Sequence, residues 1–258
     1  MSTVVLEAPG SRAVADRRPS LTRLTAVELR KMVDTRAGFW VLLGILLLTL
    51  AAIVITLFAG KPGDHTFKSM FTLAAAPSAL LLPIVGILLV SSEWTQRTTV
   101  ITFTLVPRRE RVLVAKAMAG VVMASVAFSI SLGLGALGSL IASPEVAGAW
   151  SLSPSFALQV GLYLAAAMLM GVAFGMLLLS SAPAIVLYFV LPIGLSTIGA
   201  ISWFKGFVPW VDWWSSVSIL TDGPLSAGEW ARAGTTLAAW IGLPLLAGFA
   251  RVMRQEVS

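Results

Sequence analysis

The sequence contains no cysteine and only one histidine among its 258 residues. Without cysteine there is no disulfide framework, no thiolate nucleophile and no cysteine-based metal site. A single histidine cannot supply the three or four ligands of a zinc centre. Because His65 stands next to Asp64 in a short polar segment between apolar stretches, we interpret it as a solvated surface residue.

Charged residues are scarce as well. They make up 12% of the chain, whereas hydrophobic residues make up 57%. A soluble domain carries about 25% charged and about 45–50% apolar residues, so this chain has too little polar surface to cover a soluble core. The composition therefore predicts an all-α polytopic membrane protein, with the lipid bilayer as its solvent.

A nucleotide-binding loop is missing too. No G-x-x-x-x-G-K-[ST] motif occurs, because Gly60-Lys61 is followed by Pro62 and lacks the required upstream glycine. We predict a non-enzymatic chain that holds no cofactor or metal and cannot hydrolyse ATP by itself. The formal net charge is +6, but the basic residues flank apolar runs, which is typical of membrane insertion and not of nucleic-acid binding.

Six long apolar stretches are present, and a membrane-spanning helix needs about 20 predominantly apolar residues. Together they form a predicted transmembrane domain, residues 37–252, between a disordered tail, residues 1–19, and a short tail, residues 253–258. The sixth stretch is the shortest, and we expect its helix to begin a few residues earlier. The predicted spans are 38–59, 73–92, 116–142, 156–180, 183–202 and 235–250.

Residues 20–36 predict an amphipathic helix ahead of the first span. Its apolar side carries Leu21, Thr25, Leu29, Met32 and Val33, and the opposite side carries Arg23, Arg30 and Asp34. A basic amphipathic helix that leads into a span is typical of the membrane interface. An ordinary surface helix is the alternative.

The distribution of lysine and arginine predicts the orientation. With both termini in the cytoplasm, 14 of the 18 basic residues lie on the cytoplasmic side, as the positive-inside rule requires. An odd number of spans would place Arg251 and Arg254 outside, so the charges also favour an even number. The four basic residues then left outside are Lys61, Lys68, Lys205 and Arg232.

Tryptophan is concentrated in the predicted outer loop, residues 203–234. Pro209 is placed to start a short external helix there, which we expect to dip into the outer leaflet. Its aromatic face is predicted to carry Trp210, Trp213 and Trp214, with Asp212, Ser215 and Ser216 on the other face. A plain belt of indole rings at headgroup depth is the alternative.

The predicted spans contain no ionisable residue except Lys116, at a boundary. Proton-coupled transporters and voltage sensors need such groups at membrane depth, so a self-powered transporter is disfavoured. Pro83 and Pro192 interrupt the second and fifth spans, and each frees a backbone carbonyl toward a protein-lined cavity. Gly171 and Gly175 form a G-x-x-x-G motif that favours close helix packing.

The predicted cytoplasmic loop between the second and third spans, residues 93–115, combines both charges. It opens with Glu93 and reaches Thr98, then Pro107 and Arg111, with Lys116 at the start of the next span. This pattern resembles the permease subunits of bacterial type-2 ABC exporters. The E-L-R-K sequence from Glu28 to Lys31 and the six-span layout extend the resemblance over nearly the whole chain.

The resemblance implies a non-catalytic exporter subunit in the bacterial cytoplasmic membrane. An apolar path without charges suits an amphipathic or lipid-like substrate. The expected partners of the subunit are a second permease copy or homologue and two ABC ATPase subunits, which would bind ATP and Mg²⁺. The resemblance also implies a translocation path along the helices that carry Pro83 and Pro192. The residues implied to contact the ATPase are Glu28, Glu93, Trp94, Arg97, Thr98, Arg108 and Arg109.

We further hypothesise that Glu93 and Arg97, four residues apart, share one face of a short cytoplasmic docking helix. The alternative function, from another class, is a non-transporting membrane scaffold or assembly subunit. A scaffold does not require a mixed-charge loop of this kind, which is why we favour the exporter. Co-purification with an ATPase would distinguish the two.

Overall fold

The structure is a computed structural model that describes residues 19–96, 108–199, 201–204, 206–221 and 225–254. Arg97 and Thr98, most of the predicted N-terminal tail and the last four residues lie outside these ranges. The described residues form α-helices, a few short 3₁₀ turns and irregular connections, with no strand among them. The helices are α1 (Leu21–Asp34), α2 (Arg36–Ala59), α3 (Phe67–Thr95), α4 (Arg109–Ala142), α5 (Pro154–Leu178), α6 (Ser181–Ile198), α7 (Trp213–Ser218) and α8 (Ala227–Arg254, with a π-helical turn at Ala238–Gly242).

Six of these helices, α2, α3, α4, α5, α6 and α8, are long and apolar enough to cross a membrane. This confirms the predicted all-α, six-span architecture, and the chain is a polytopic membrane protein. The expectation that the last span starts before residue 235 is also confirmed, because α8 begins at Ala227 inside the predicted outer loop. Two helices extend into the predicted loop 93–115, since α3 runs to Thr95 and α4 begins at Arg109.

Helices α3 and α5 form the centre of the bundle. Within their most apolar windows, 61% of α3 and 67% of α5 is buried, against 17% in α2 and α6. The two central helices cross at the predicted G-x-x-x-G motif. A Cβ on Gly171 would lie 2.2 Å from the carbonyl oxygen of Pro83, and one on Gly175 would lie 3.0 Å from that of Ile87. The motif therefore serves packing within the chain, because only glycine lets the two backbones approach this closely.

Hydroxyl groups join α2 and α4 to α3. Thr49 of α2 and Ser131 of α4 both donate to the carbonyl oxygen of Ala74, at 3.3 and 3.2 Å. Together these bonds hold three spanning helices at one level.

The segment before α8 folds differently from the prediction. Val208–Trp210 is a 3₁₀ turn, and α7 follows with Trp213 fully buried while Trp210 and Trp214 stay partly exposed. The predicted polar face is wrong, because Asp212 and Ser216 are buried too. Asp212 Oδ2 accepts the backbone N–H of Ser215 at 3.0 Å, and Ser196 of α6 donates to Asp212 Oδ1. The buried carboxylate thus caps α7 and anchors it to α6.

Candidate functional site

Four charged side chains meet where α1, α3 and α4 converge. Lys116 of α4 places its Nζ 2.7 Å from Glu28 Oε2 on α1 and 2.9 Å from Glu93 Oε1 on α3. It also donates to the carbonyl oxygen of Leu89 at 3.1 Å. Lys31 of α1 lies 2.7 Å from Glu28 Oε1 and 2.6 Å from Glu93 Oε1. We refer to Glu28, Lys31, Glu93 and Lys116 as the charge network.

The charge network is electrically balanced and largely dry. Two carboxylates face two ammonium groups, and the side chain of Lys116 is only 3% exposed. Lys31 closes the network on the solvent side with 35% exposure. Burial by itself lowers the pKa of Lys31, but the carboxylates of Glu28 and Glu93 outweigh burial and hold the pKa above its usual value. The ammonium group of Lys31 is therefore expected to be charged at neutral pH.

Local sequence explains how α1 presents its two members. Ser20 caps the helix by accepting the N–H of Arg23 at 3.2 Å. Thr25, Glu28 and Met32 then fall on one buried face at helical spacing. The predicted apolar side is partly correct, because Met32 is buried and Leu29 packs against the core, while Leu21 and Val33 are exposed.

Arginine side chains bind free carbonyl groups at the same end of the bundle. Arg251 of α8 donates to the carbonyl oxygen of Leu177 at 2.6 Å, in the last turn of α5. Arg109 of α4 donates to that of Val252 at 3.1 Å. Cationic donors at helix C-termini satisfy carbonyls that have no partner within the helix. The helix ends around the charge network are thus held to one another.

A crevice of about 330 Å³ opens beside the charge network. Its wall includes Lys31 and Glu93, together with Thr35 at the junction of α1 and α2. Ser92 and Gln96 extend it along the last turn of α3. The crevice therefore gives solvent access to Lys31 and Glu93.

The predicted ATPase contacts occupy several different environments. Glu28 and Glu93 are buried and paired within the chain, so in this conformation their carboxylates do not face a partner. Trp94 is half-buried against a cluster that includes Leu113. Arg108 is exposed, and Arg109 is engaged by α8 as described.

The short docking helix is corrected in one respect, because Glu93 belongs to the last turn of α3 itself. Its predicted partner Arg97 lies outside the described residues. Pro83 and Pro192 are both buried. Pro83 packs against Gly171 of α5, so its carbonyl meets a neighbouring helix. A path along these helices stays a prediction.

Sequence reasoning missed the partners of Lys116. A lone lysine at the edge of an apolar span calls for a carboxylate, since an unpaired charge at membrane depth is costly. That reasoning predicts an acidic partner but does not identify it, because Glu28 is 88 positions away and belongs to a helix outside the spans.

No protein-family model matches the chain, and no curated protein matches it either. The site is therefore interpreted from its own chemistry.

Proposed function

We propose that the chain is the membrane-spanning permease subunit of an ATP-driven exporter, moving an amphipathic or lipid-like substrate across the cytoplasmic membrane. Separate ATPase subunits supply the energy, and a second permease copy or homologue completes the path. The observation that carries the proposal is the charge network. It connects the amphipathic helix α1 to the ends of two spanning helices, at positions that resemble the coupling elements of type-2 exporters.

The charge network suits the transmission of force better than direct contact. A buried, balanced set of ion pairs is costly to break, because each charge that is left behind lacks both water and partner. A push on α1 from a bound ATPase would therefore move α3 and α4 together with it. The exposed side of α1, which carries Arg23 and Arg30, is then the surface that a partner would touch.

The apolar interior supports a lipid-like substrate. Below the charge network, the middle of the bundle holds hydroxyl side chains such as Ser78 and Ser131 among the described residues. Charged substrates would find no counter-charge there. Helix α6 packs loosely, since only 17% of its most apolar window is buried, which leaves a face for a second copy or for lipid.

The proposal is tested by purifying the chain from its native host and identifying co-purifying proteins by mass spectrometry. An ATPase of the ABC type is expected.

In the reconstituted complex, Glu93→Gln should lower ATP turnover, because it leaves Lys31 and Lys116 with one carboxylate between them. Glu145→Gln, an exposed acid in another segment, serves as the matched control.

Absence of any ATPase from the purified complex would contradict the exporter and favour the scaffold. Equal ATP turnover of the Glu93 and Glu145 variants would be compatible with an exporter but would show that the charge network takes no part in its coupling.

A further inference from the structure

A groove runs between α3 and α5 at the end of the bundle opposite the charge network. Its deeper part has a volume of about 340 Å³, between Thr72 and Ala76 of α3 and Val160 and Tyr163 of α5. Trp214 of α7 closes it from the side. A second, more open part of about 520 Å³ continues past Thr72 and Ala76 to Lys68. We refer to both parts together as the lipid groove.

The dimensions of the lipid groove match one leaflet of a bilayer. Lys68, Thr72, Ala76 and Leu80 follow one another at four-residue intervals along α3. These 12 residues rise about 18 Å, and one leaflet of the hydrocarbon core is about 15 Å thick. The alanine side chains that line the groove are short, so an extended acyl chain fits closely against the helix.

The mouth of the lipid groove carries a positive charge. Lys68 Nζ lies 4.6 Å from the ring centroid of Phe156, on the first turn of α5. Phe156, Val160 and Tyr163 share one face of that helix at helical spacing. The contact with the ring holds the ammonium group beside that face, and Lys68 itself lines the more open part of the groove. Among the described residues, no carboxylate forms an ion pair with Lys68. The nearby Asp64 accepts the backbone N–H of Lys61 instead.

We infer that the lipid groove binds an anionic membrane lipid. One acyl chain lies along α3 and α5, and the phosphate or carboxylate of the headgroup pairs with Lys68. The acyl chain of a zwitterionic lipid fits the apolar part equally well. Its headgroup also carries a cation, however, which Lys68 would repel. The inference goes beyond the proposed function, because the lipid is a ligand bound in the groove and is not assigned as the transported substrate. Binding itself needs neither ATP nor a partner.

The test uses the full chain reconstituted in phosphatidylcholine vesicles, with brominated phosphatidylglycerol as the probe and brominated phosphatidylcholine as the reference. Bromine quenches the fluorescence of nearby indole rings. The fluorescence of Trp214 is obtained as the difference between the unmodified chain and its Trp214→Phe variant. One lysine near a membrane surface is worth roughly a fivefold preference for an anionic lipid. We expect half-maximal quenching of Trp214 at a correspondingly lower mole fraction of the anionic probe.

Two pairs of variants make the result specific. Lys68→Gln should abolish the preference, whereas Lys61→Gln, which removes a charge in the same segment but outside the groove, should retain it. Ala76→Phe should remove the quenching of Trp214 by both lipids, whereas Ala51→Phe, on the exposed face of α2, should not. Equal quenching by the two lipids, or equal behaviour of the two lysine variants, overturns the inference. These outcomes do not depend on whether an ATPase co-purifies, so the two proposals fail separately.

Discussion

Lys116 is the residue that joins α4 to both other helices of the charge network. Removing its side chain leaves two buried carboxylates with only the partly exposed Lys31 between them. Breaking a buried ion pair by deleting one partner typically costs about 3–5 kcal/mol. We therefore expect Lys116→Ala to lower the free energy of unfolding by about that amount, measured by thermal or denaturant unfolding in detergent.

Lys61→Ala is the matched control for this change, because Lys61 is exposed and its removal strands no buried charge. Its effect should stay within about 0.5 kcal/mol. The double variant Glu28→Gln with Lys116→Gln should be more stable than the sum of the single variants predicts, since the two changes remove a pair. Additive effects would mean that Glu28 and Lys116 do not interact in the membrane-embedded protein.

At the residue scale, sequence reasoning identified the members of the site better than their contacts. Glu28, Glu93 and Lys116 all stood out, either through the resemblance or as an isolated charge at the edge of a span. Their pairing depends on how α1 folds back against α3 and α4, and periodicity within one helix carries no information about that. The carboxylate of Glu93 was therefore assigned to a partner protein without its pairing to a lysine of the same chain, and contact with a partner stays a prediction.

At the scale of the elements, the crossing of α3 and α5 brings two helix backbones into direct contact. A Cβ at Gly171 meets backbone atoms of Pro83, the nearest at 2.2 Å, and these cannot move aside as a flexible side chain would. Overpacking in a close-packed interior costs about 1–3 kcal/mol. Gly171→Ala is expected to destabilise the protein by at least that amount and to reduce the yield of folded protein by size-exclusion chromatography.

Gly194→Ala in α6 provides the comparison, because a Cβ added at Gly194 would meet no neighbouring atom within 4 Å. It should be neutral or should stabilise the helix by up to about 1 kcal/mol, the difference in helix propensity between glycine and alanine. If both variants unfold at the same temperature, then α3 and α5 do not touch at this crossing.

The spans themselves were predictable because hydropathy alone specifies them. Six apolar stretches became six helices, and the errors lie at their ends, where polar residues such as Glu93 continue a helix past the apolar run.

The face of α7 was mispredicted for a different physical reason. Tryptophan is equally suited to a lipid surface and to a core, so only the packing of α5, α6 and α8 decides that Trp213 is buried while Trp214 is not.

At the scale of the whole molecule, the two ends of the bundle differ in charge. The end with the charge network also carries Arg109, Arg111 and Arg251, which bind carbonyl groups there. The opposite end carries Lys61, Lys68 and the aromatic segment around α7. Basic residues are retained on the cytoplasmic side during insertion. This asymmetry predicts that the charge network lies in the cytoplasm and the lipid groove in the outer leaflet.

The absence of native cysteine makes this orientation directly measurable, because a single introduced thiol is the only one that a maleimide can label. Ser143 and Thr95 are both exposed, at the end of α4 and at the end of α3. In sealed cells, an impermeant maleimide should label Ser143→Cys and should spare Thr95→Cys. Permeabilised cells provide the control, since both thiols should then react. Labelling of Thr95→Cys alone in sealed cells would show that the protein has the opposite orientation. The charge network would then lie on the outer side, where it could not receive force from an ATPase in the cytoplasm.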